Sequence, residues 1–205
     1  MKILLHICCA PCAIYPLETL RASGHQVRGF FFNPNIHPYQ EYIRRAETLE
    51  TFAAKVGLPV IWDRGYPLEE FLRDLAFREA ERCRFCYYRR LTAAARVARG
   101  GKFDAFTSTL LFSKFQNHEL IRELGQLIVR EVGIPFYYED FRKGWAEGRA
   151  NAQTMGLYKQ QYCGCIFSER DRFMQAEKGR VPPGKPMKKE KARGVAGGSK
   201  AAKFL

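Results

Sequence analysis

Residues 2–20 read KILLHICCAPCAIYPLETL. Ile3, Leu4, Leu5 and Ile7 give the near-continuous apolar run of a strand buried in a parallel sheet. The residues from Pro16 to Ser23 read as a helix closed by Gly24. Between strand and helix lies the kind of loop on which many α/β proteins hold a phosphate against glycine backbone. This loop has no glycine and carries Cys8, Cys9 and Cys12 instead.

The alternation continues downstream. QVRGFFFNP (26–34) reads as a second strand, and HPYQEYIRRAETLETFAAKVG (37–57) as an amphipathic helix with Tyr42, Ala46, Leu49, Phe52, Ala53 and Val56 on one stripe. LPVIWD (58–63) is a third strand and PLEEFLRDLAF (67–77) a helix with Pro67 near its start. CYYRRLTAAARVARGG (86–101) is a longer helix, FDAFTSTLL (103–111) a fourth strand, NHELIRELGQLIVREVG (117–133) a helix, and IPFYYED (134–140) a fifth strand. Strands separated by helices of this length predict an α/β domain over residues 1–177, a parallel sheet with helices on both faces. Such sheets bind ligands beyond the carboxyl ends of their strands, which would bring the first thiol loop to one crevice with Thr107, Ser108 and Thr109.

The seven cysteines fall into three tight groups: Cys8, Cys9 and Cys12; Cys83 and Cys86; Cys163 and Cys165. In a reducing compartment such groups point to metal ligation or redox chemistry rather than structural disulfides. The C-x-x-C of CRFC (83–86) sits at the edge of a helix, whose partial positive charge favours thiolates, as do Arg82, Arg84, Arg89 and Arg90. Its spacing suits one metal centre or a redox disulfide. The adjacent pair Cys8-Cys9 departs from an ordinary zinc knuckle, so the set favours an iron–sulfur cluster over structural zinc or metal-free thiol chemistry. YCGC (162–165) puts two thiols around one glycine, which suits a reducible pair, with metal ligation as the alternative.

The chain of 205 residues carries a formal net charge of +13, which points to a polyanionic partner. The stretch 178–205 holds nine Lys and Arg against one Glu among Gly, Pro and Ala, and is expected to be a disordered basic tail. No run of 18 apolar residues exists, so no membrane span is expected. The short apolar run at the N-terminus does not make a secretory signal, and a cytoplasmic location is expected.

The blocks HICCAPC (6–12), NPNIHPYQEYIRR (33–45), CRFCYYRRL (83–91), FDAFTSTLLFSKFQNHELI (103–121) and QQYCGC (160–165), in this order, resemble the QueH family of cobalamin-independent epoxyqueuosine reductases over residues 2–170. The resemblance implies a HUP or PP-loop-like three-layer fold whose phosphate loop has given way to thiols. It implies reduction of epoxyqueuosine to queuosine at the wobble position of certain tRNAs, with electrons from a donor the sequence does not identify. It maps a [4Fe-4S] cluster onto Cys8, Cys9, Cys83 and Cys86, and a redox-active pair onto Cys163 and Cys165. Some members carry a second, mononuclear iron, for which Cys12 is the expected ligand here, with Cys163 or Cys165 as co-ligand. Candidate proton donors are His6, His37, Tyr39 and His118. Arg44, Arg45, Arg89, Arg90 and Lys114 are candidate phosphate contacts, and Tyr39, Tyr87, Tyr88 and Tyr162 candidate stacking partners for an anticodon base. Two rival readings are an ATP-dependent tRNA sulfurtransferase, disfavoured by the missing glycine-rich loop, and a zinc-stabilised RNA-binding module without catalysis.

Overall fold

A computed structural model describes residues 1–178; the basic tail expected from 178 onward lies outside the described residues save for its first. The strands are β1 (Lys2–His6), β2 (Gln26–Phe31), β3 (Val60–Trp62) and β4 (Ala105–Ser108). The helices are α1 (Ala10–Ala22), α2 (Tyr39–Lys55), α3 (Leu68–Leu75), α4 (Arg82–Gly100), α5 (His118–Val132), α6 (Trp145–Thr154) and α7 (Ile166–Lys178). Short 3-10 turns occupy Glu79–Glu81, Thr109–Phe112 and Phe141–Gly144.

All strand pairs are parallel, in the order β3-β2-β1-β4. Helices α1 and α2 cover one face, while α4 packs on β1 and β4 and against α5 on the other. The expected three-layer α/β architecture is therefore present. Its centre is apolar throughout: Ile3, Leu4, Leu5, Ile7, Phe31, Leu91, Phe106 and Ile128 are without solvent exposure. Each such side chain contributes about 1.5–3 kcal/mol on burial.

Two boundaries differ from expectation. Helix α1 starts at Ala10, not at Pro16, because Pro11 occupies the first turn, where its missing N–H costs nothing. Cys9 is thus the residue that caps α1 in an extended conformation, and Cys12 sits inside the first turn. The fifth strand does not form. Segment 134–140 makes one isolated bridge, Phe106 with Phe136, through Phe106 N–H to Pro135 O and Tyr137 N–H to Phe106 O. The chain then turns away at Asp140, whose carboxylate accepts from Arg142 N–H and caps the next 3-10 turn.

From β1 the chain builds outward through β2 to β3, then returns to lay β4 on the other side of β1. The switch point between β1 and β4 is where such sheets open a crevice at their carboxyl ends. The two strand ends are tied there: His6 Nδ1 lies 2.9 Å from Ser108 Oγ, and Cys8 N–H donates to Thr109 Oγ1 at 3.1 Å. The thiol loop and the Thr-Ser-Thr segment are thus brought together at the sheet's carboxyl end.

Candidate metal centre

Beyond His6 the backbone leaves the sheet and enters α1 within four residues, so Cys8, Cys9 and Cys12 are forced close together. Their sulfurs lie within 4.8 Å of one another, the one group of three or more potential ligands this tight among the described residues. Cys8 and Cys9 are 3.7 Å apart at sulfur. The Thr109 hydroxyl reaches Cys8 Sγ at 3.3 Å. The Gln160 amide donates to Cys9 Sγ at 3.1 Å and lies 3.7 Å from Cys12 Sγ.

The three thiols do not share charge equally. Thiol donation from Cys12, then from Cys9, holds Cys8 well below the usual cysteine range, with Thr109 adding to the effect. Cys12 is raised well above that range because it donates to Cys8 and then to Cys9. The loop is thus set up to carry a thiolate on Cys8, and a soft metal would displace the protons that remain.

Cys83 and Cys86 occupy the first turns of α4. Burial pushes the Cys86 thiol up to about 12, opposed by the guanidinium of Arg90. Arg90 is 1% exposed. Its Nη2 donates to Cys86 Sγ at 3.0 Å and its Nε to the Cys86 carbonyl at 3.2 Å. The charges of Cys86, Cys163 and Cys8 all act on it. Among the described residues Arg90 has no carboxylate partner. A buried cation costs several kcal/mol unless an anion compensates it, and here the anions on offer are sulfur. Soft thiols beside an otherwise uncompensated guanidinium suit a thiophilic metal bound by thiolates.

Cys163 and Cys165 flank Gly164 just before α7 and share the electrostatic neighbourhood of Cys83 and Cys86. The Gln116 amide donates to Cys163 Sγ at 3.3 Å, and Ser168 N–H points to Cys165 Sγ at 3.4 Å. All seven cysteines are free thiols. The loop that carries the pair is held from beneath by Arg45, also 1% exposed. Arg45 donates from Nη1 to Cys163 O at 2.8 Å and from Nη2 to Tyr162 O at 3.0 Å, while Nε pairs with Glu41 at 2.7 Å. Tyr158 donates to the other oxygen of Glu41 at 2.6 Å. His37 N–H donates to Gly164 O at 2.8 Å, and Gly164 itself takes φ +154°, with Asn35 Nδ2 and Ile36 Cγ1 only 3.1 and 3.2 Å from where a Cβ would stand.

Several expectations need correction here. Arg45 and Arg90 are not phosphate contacts, because both are buried under the sulfur loops. Arg89 is tied to Glu70 and Asp74, and Arg44 lies over the Tyr158 ring at 5.0 Å; Lys114 remains exposed. Tyr87 is buried, with its hydroxyl on Gln116, so it offers no face to a base, and Tyr88 is half-buried with its hydroxyl on Glu131 of α5. Tyr162 gives its hydroxyl to His37 O, while Tyr39 is 54% exposed. His118 is buried. His6 is buried between Ser108 Oγ and Phe32 O, as a packing histidine would be, and burial lowers it to about 4. His37 packs against the rings of Phe71 and Tyr66 and is also lowered to about 4 by burial.

Gln116 and Gln160 are absent from the expected site, although both touch sulfur. Their signal was weak: a polar amide beside a cysteine motif looks like any surface residue. Arg45 and Arg90 had a stronger one. Each shares the apolar stripe of its helix, Arg45 with Tyr42 and Leu49, Arg90 with Tyr87, Leu91 and Ala94, where a charge needs a buried partner.

Comparison with known proteins gives one consistent result. A family model described as "Epoxyqueuosine reductase QueH" matches residues 3–171. A protein of Dehalococcoides mccartyi bearing that name is 35% identical over 172 residues, covering 84% of this chain and 94% of its own length. Its namesakes in Thermotoga maritima and Acinetobacter baylyi are 34% and 36% identical, each over 83% of this chain and over 91% and 81% of their own lengths.

Proposed function

The chain belongs to the epoxyqueuosine reductase QueH family, and on that premise we propose that it reduces epoxyqueuosine to queuosine at the wobble position of tRNA, with thiols at the sheet's switch point holding iron. The observation that carries the metal reading is the triad Cys8, Cys9 and Cys12 within 4.8 Å, together with a buried guanidinium that donates to the Cys86 sulfur. We assign Cys8, Cys9, Cys83 and Cys86 to a [4Fe-4S] cluster, and Cys12 to a second, mononuclear iron. A cluster of this kind supplies electrons singly, and a mononuclear iron supplies Lewis acidity.

The reaction consumes two electrons and two protons. Both C–O bonds of the epoxide break, an alkene forms, and the oxygen leaves as water. Cys163 and Cys165 match that demand: as a dithiol they surrender two electrons and two protons when their sulfurs join as a disulfide. An external donor must then restore the dithiol. Gln116 and Ser168 hold the two sulfurs, and Arg45 holds the backbone between Tyr162 and Cys163. No helix among the described residues is long and apolar enough to cross a membrane, and a tRNA substrate supports a cytoplasmic location.

Anaerobic reconstitution with iron and sulfide, followed by nucleoside analysis of epoxyqueuosine-containing tRNA, tests this reading. Cys83→Ser is expected to lower bound iron. Cys165→Ser is expected to spare the cluster yet lose turnover. Full turnover in Cys165→Ser would remove the relay, and undiminished iron in Cys83→Ser would remove the ligand assignment.

A further inference from the structure

Phe115 is 83% exposed, an unusual position for a large apolar ring. It is not loose. Its backbone closes a turn in which Phe115 N–H donates to Ser113 Oγ at 3.3 Å. Its ring meets Trp145 edge-on, with centroids 5.7 Å apart at 79°. Trp145 in turn lies 5.1 Å from the ring of buried Phe112, which stacks on Tyr15 of α1 at 6.3 Å. A chain of aromatic contacts therefore props Phe115 up from the core with its face in solvent.

Its position is tied to the sulfur centre by the next residue. Gln116 donates to Cys163 Sγ and accepts from the Tyr87 hydroxyl at 2.7 Å. Phe115 is therefore one residue from a side chain that touches the reactive pair. Two cations belong to the same neighbourhood, one the preceding residue and the other on the Trp145 ring that Phe115 meets. Lys114 is exposed, and Arg149 lies 5.8 Å above the Trp145 ring. Among the described residues neither is in an ion pair, whereas the neighbouring Arg142 and Lys143 are each tied to a carboxylate.

We propose that Phe115, backed by Trp145 and neighboured by Lys114 and Arg149, is a stacking platform for an unpaired nucleotide beside the one being reduced. The inference rests on the reading of the substrate as tRNA. A preformed aromatic face with free cations in its neighbourhood is the chemistry that single-stranded nucleic acid selects: base on ring, phosphate on cation. For the wobble base to reach the sulfurs it must leave its stack, and its neighbour then loses a stacking partner. Phe115 replaces that partner and keeps the loop splayed.

The test uses the full chain and an anticodon stem–loop RNA with 2-aminopurine next to the wobble nucleotide. The fluorescence of the probe is expected to be quenched on binding to wild type and to stay bright with Phe115→Ala. Affinity for the RNA should fall about 5- to 150-fold in Phe115→Ala, the range for loss of one base–aromatic stack, and Phe115→Tyr should restore it. Lys114→Ala and Arg149→Ala should each lower the salt dependence of binding by about one phosphate contact. With reconstituted enzyme, Phe115→Ala should raise KM and leave kcat within about twofold. Phe77, 99% exposed with no aromatic or cation–π partner among the described residues, is the control, and Phe77→Ala should bind RNA as wild type does. Unchanged RNA affinity and KM in Phe115→Ala would overturn the proposal. So would unchanged RNA binding with a slower supply of electrons, because the ring would then serve a protein donor. Absence of epoxyqueuosine reduction with intact quenching would instead defeat the reductase reading and leave the platform standing.

Discussion

Replacing Arg45 with methionine tests how the redox loop is held. The guanidinium is 1% exposed and makes three charge-assisted contacts: Glu41 at 2.7 Å, Cys163 O at 2.8 Å and Tyr162 O at 3.0 Å. Methionine fills most of the volume and makes none of them. Glu41, itself only 8% exposed, would keep the Tyr158 hydroxyl as its one remaining partner, and two carbonyls would be left without donors. Removing one partner of a buried pair costs about 3–5 kcal/mol, a large share of the ~5–15 kcal/mol that holds a domain together. With a urea slope of about 2 kcal/mol/M, the midpoint of anaerobic urea unfolding should fall by about 1.5–2.5 M at unchanged slope. The companion variant Arg45→Met/Glu41→Gln removes the stranded charge and should recover about 1–3 kcal/mol of that loss. A midpoint shift below about 0.5 M, or a double variant no better than the single one, would show that this network is not what fixes the loop.

Other consequences can be measured directly. His37 is lowered to about 4 by burial, so the folded state binds fewer protons than the unfolded chain below the usual value near 6.5. Stability should therefore fall as pH drops from about 6.5 to 4, and His37→Phe should make the curve shallower in urea unfolding at stepped pH, leaving the share that buried His6 contributes. Gly164→Ala forces a Cβ to 3.1 Å from Asn35 Nδ2 and 3.2 Å from Ile36 Cγ1, displacing Cys163; turnover is expected to drop roughly 10- to 100-fold while bound iron, read by colorimetric assay, holds. Arg90→Met removes the charge that the sulfurs face, so reconstituted protein should lose iron faster to a chelator, with Arg90→Lys falling between it and wild type.

The fold was legible because each strand–helix unit states itself twice, in an apolar run and in the stripe that covers it. The exceptions have local causes. Pro16 looked like a helix start because proline usually marks one, but Pro11 had already taken that place five residues earlier. Segment 134–140 has the composition of a strand, yet Pro135 brings no N–H and Asp140 ends the segment as a cap, so a single bridge forms. Of the site, the cysteine groups were visible as groups. What the sequence hid is which charges face them. Arg45 and Arg90 belong to the same basic composition as the surface arginines, and only their place on an apolar stripe separates them from residues that meet a phosphate. Phe115 was hidden for the converse reason: pattern alone assigns an apolar ring to the core, and exposure is a tertiary fact.

The electrostatics of the crevice make sense of a loop that carries cysteine where a phosphate loop carries glycine. A phosphate loop works because helix N-termini and backbone dipoles aim positive charge at one point. That geometry is kept here: α1 begins at Ala10 just after Cys9, and α4 begins at Arg82 with Cys83 and Cys86 in its first turns. Each helix end carries about half a positive charge, and Arg90 adds a full one from within. Protonated thiols would leave all of this uncompensated in a medium where charge is costly. A phosphate brings its own negative charge; sulfur must lose protons to acquire one, and a bound metal is what makes that loss favourable for several thiols at once. Cysteine in place of glycine therefore keeps the positive field of a phosphate loop and changes only the anion that answers it. Arg90, buried and answered by sulfur, is the residue in which that exchange is written most directly.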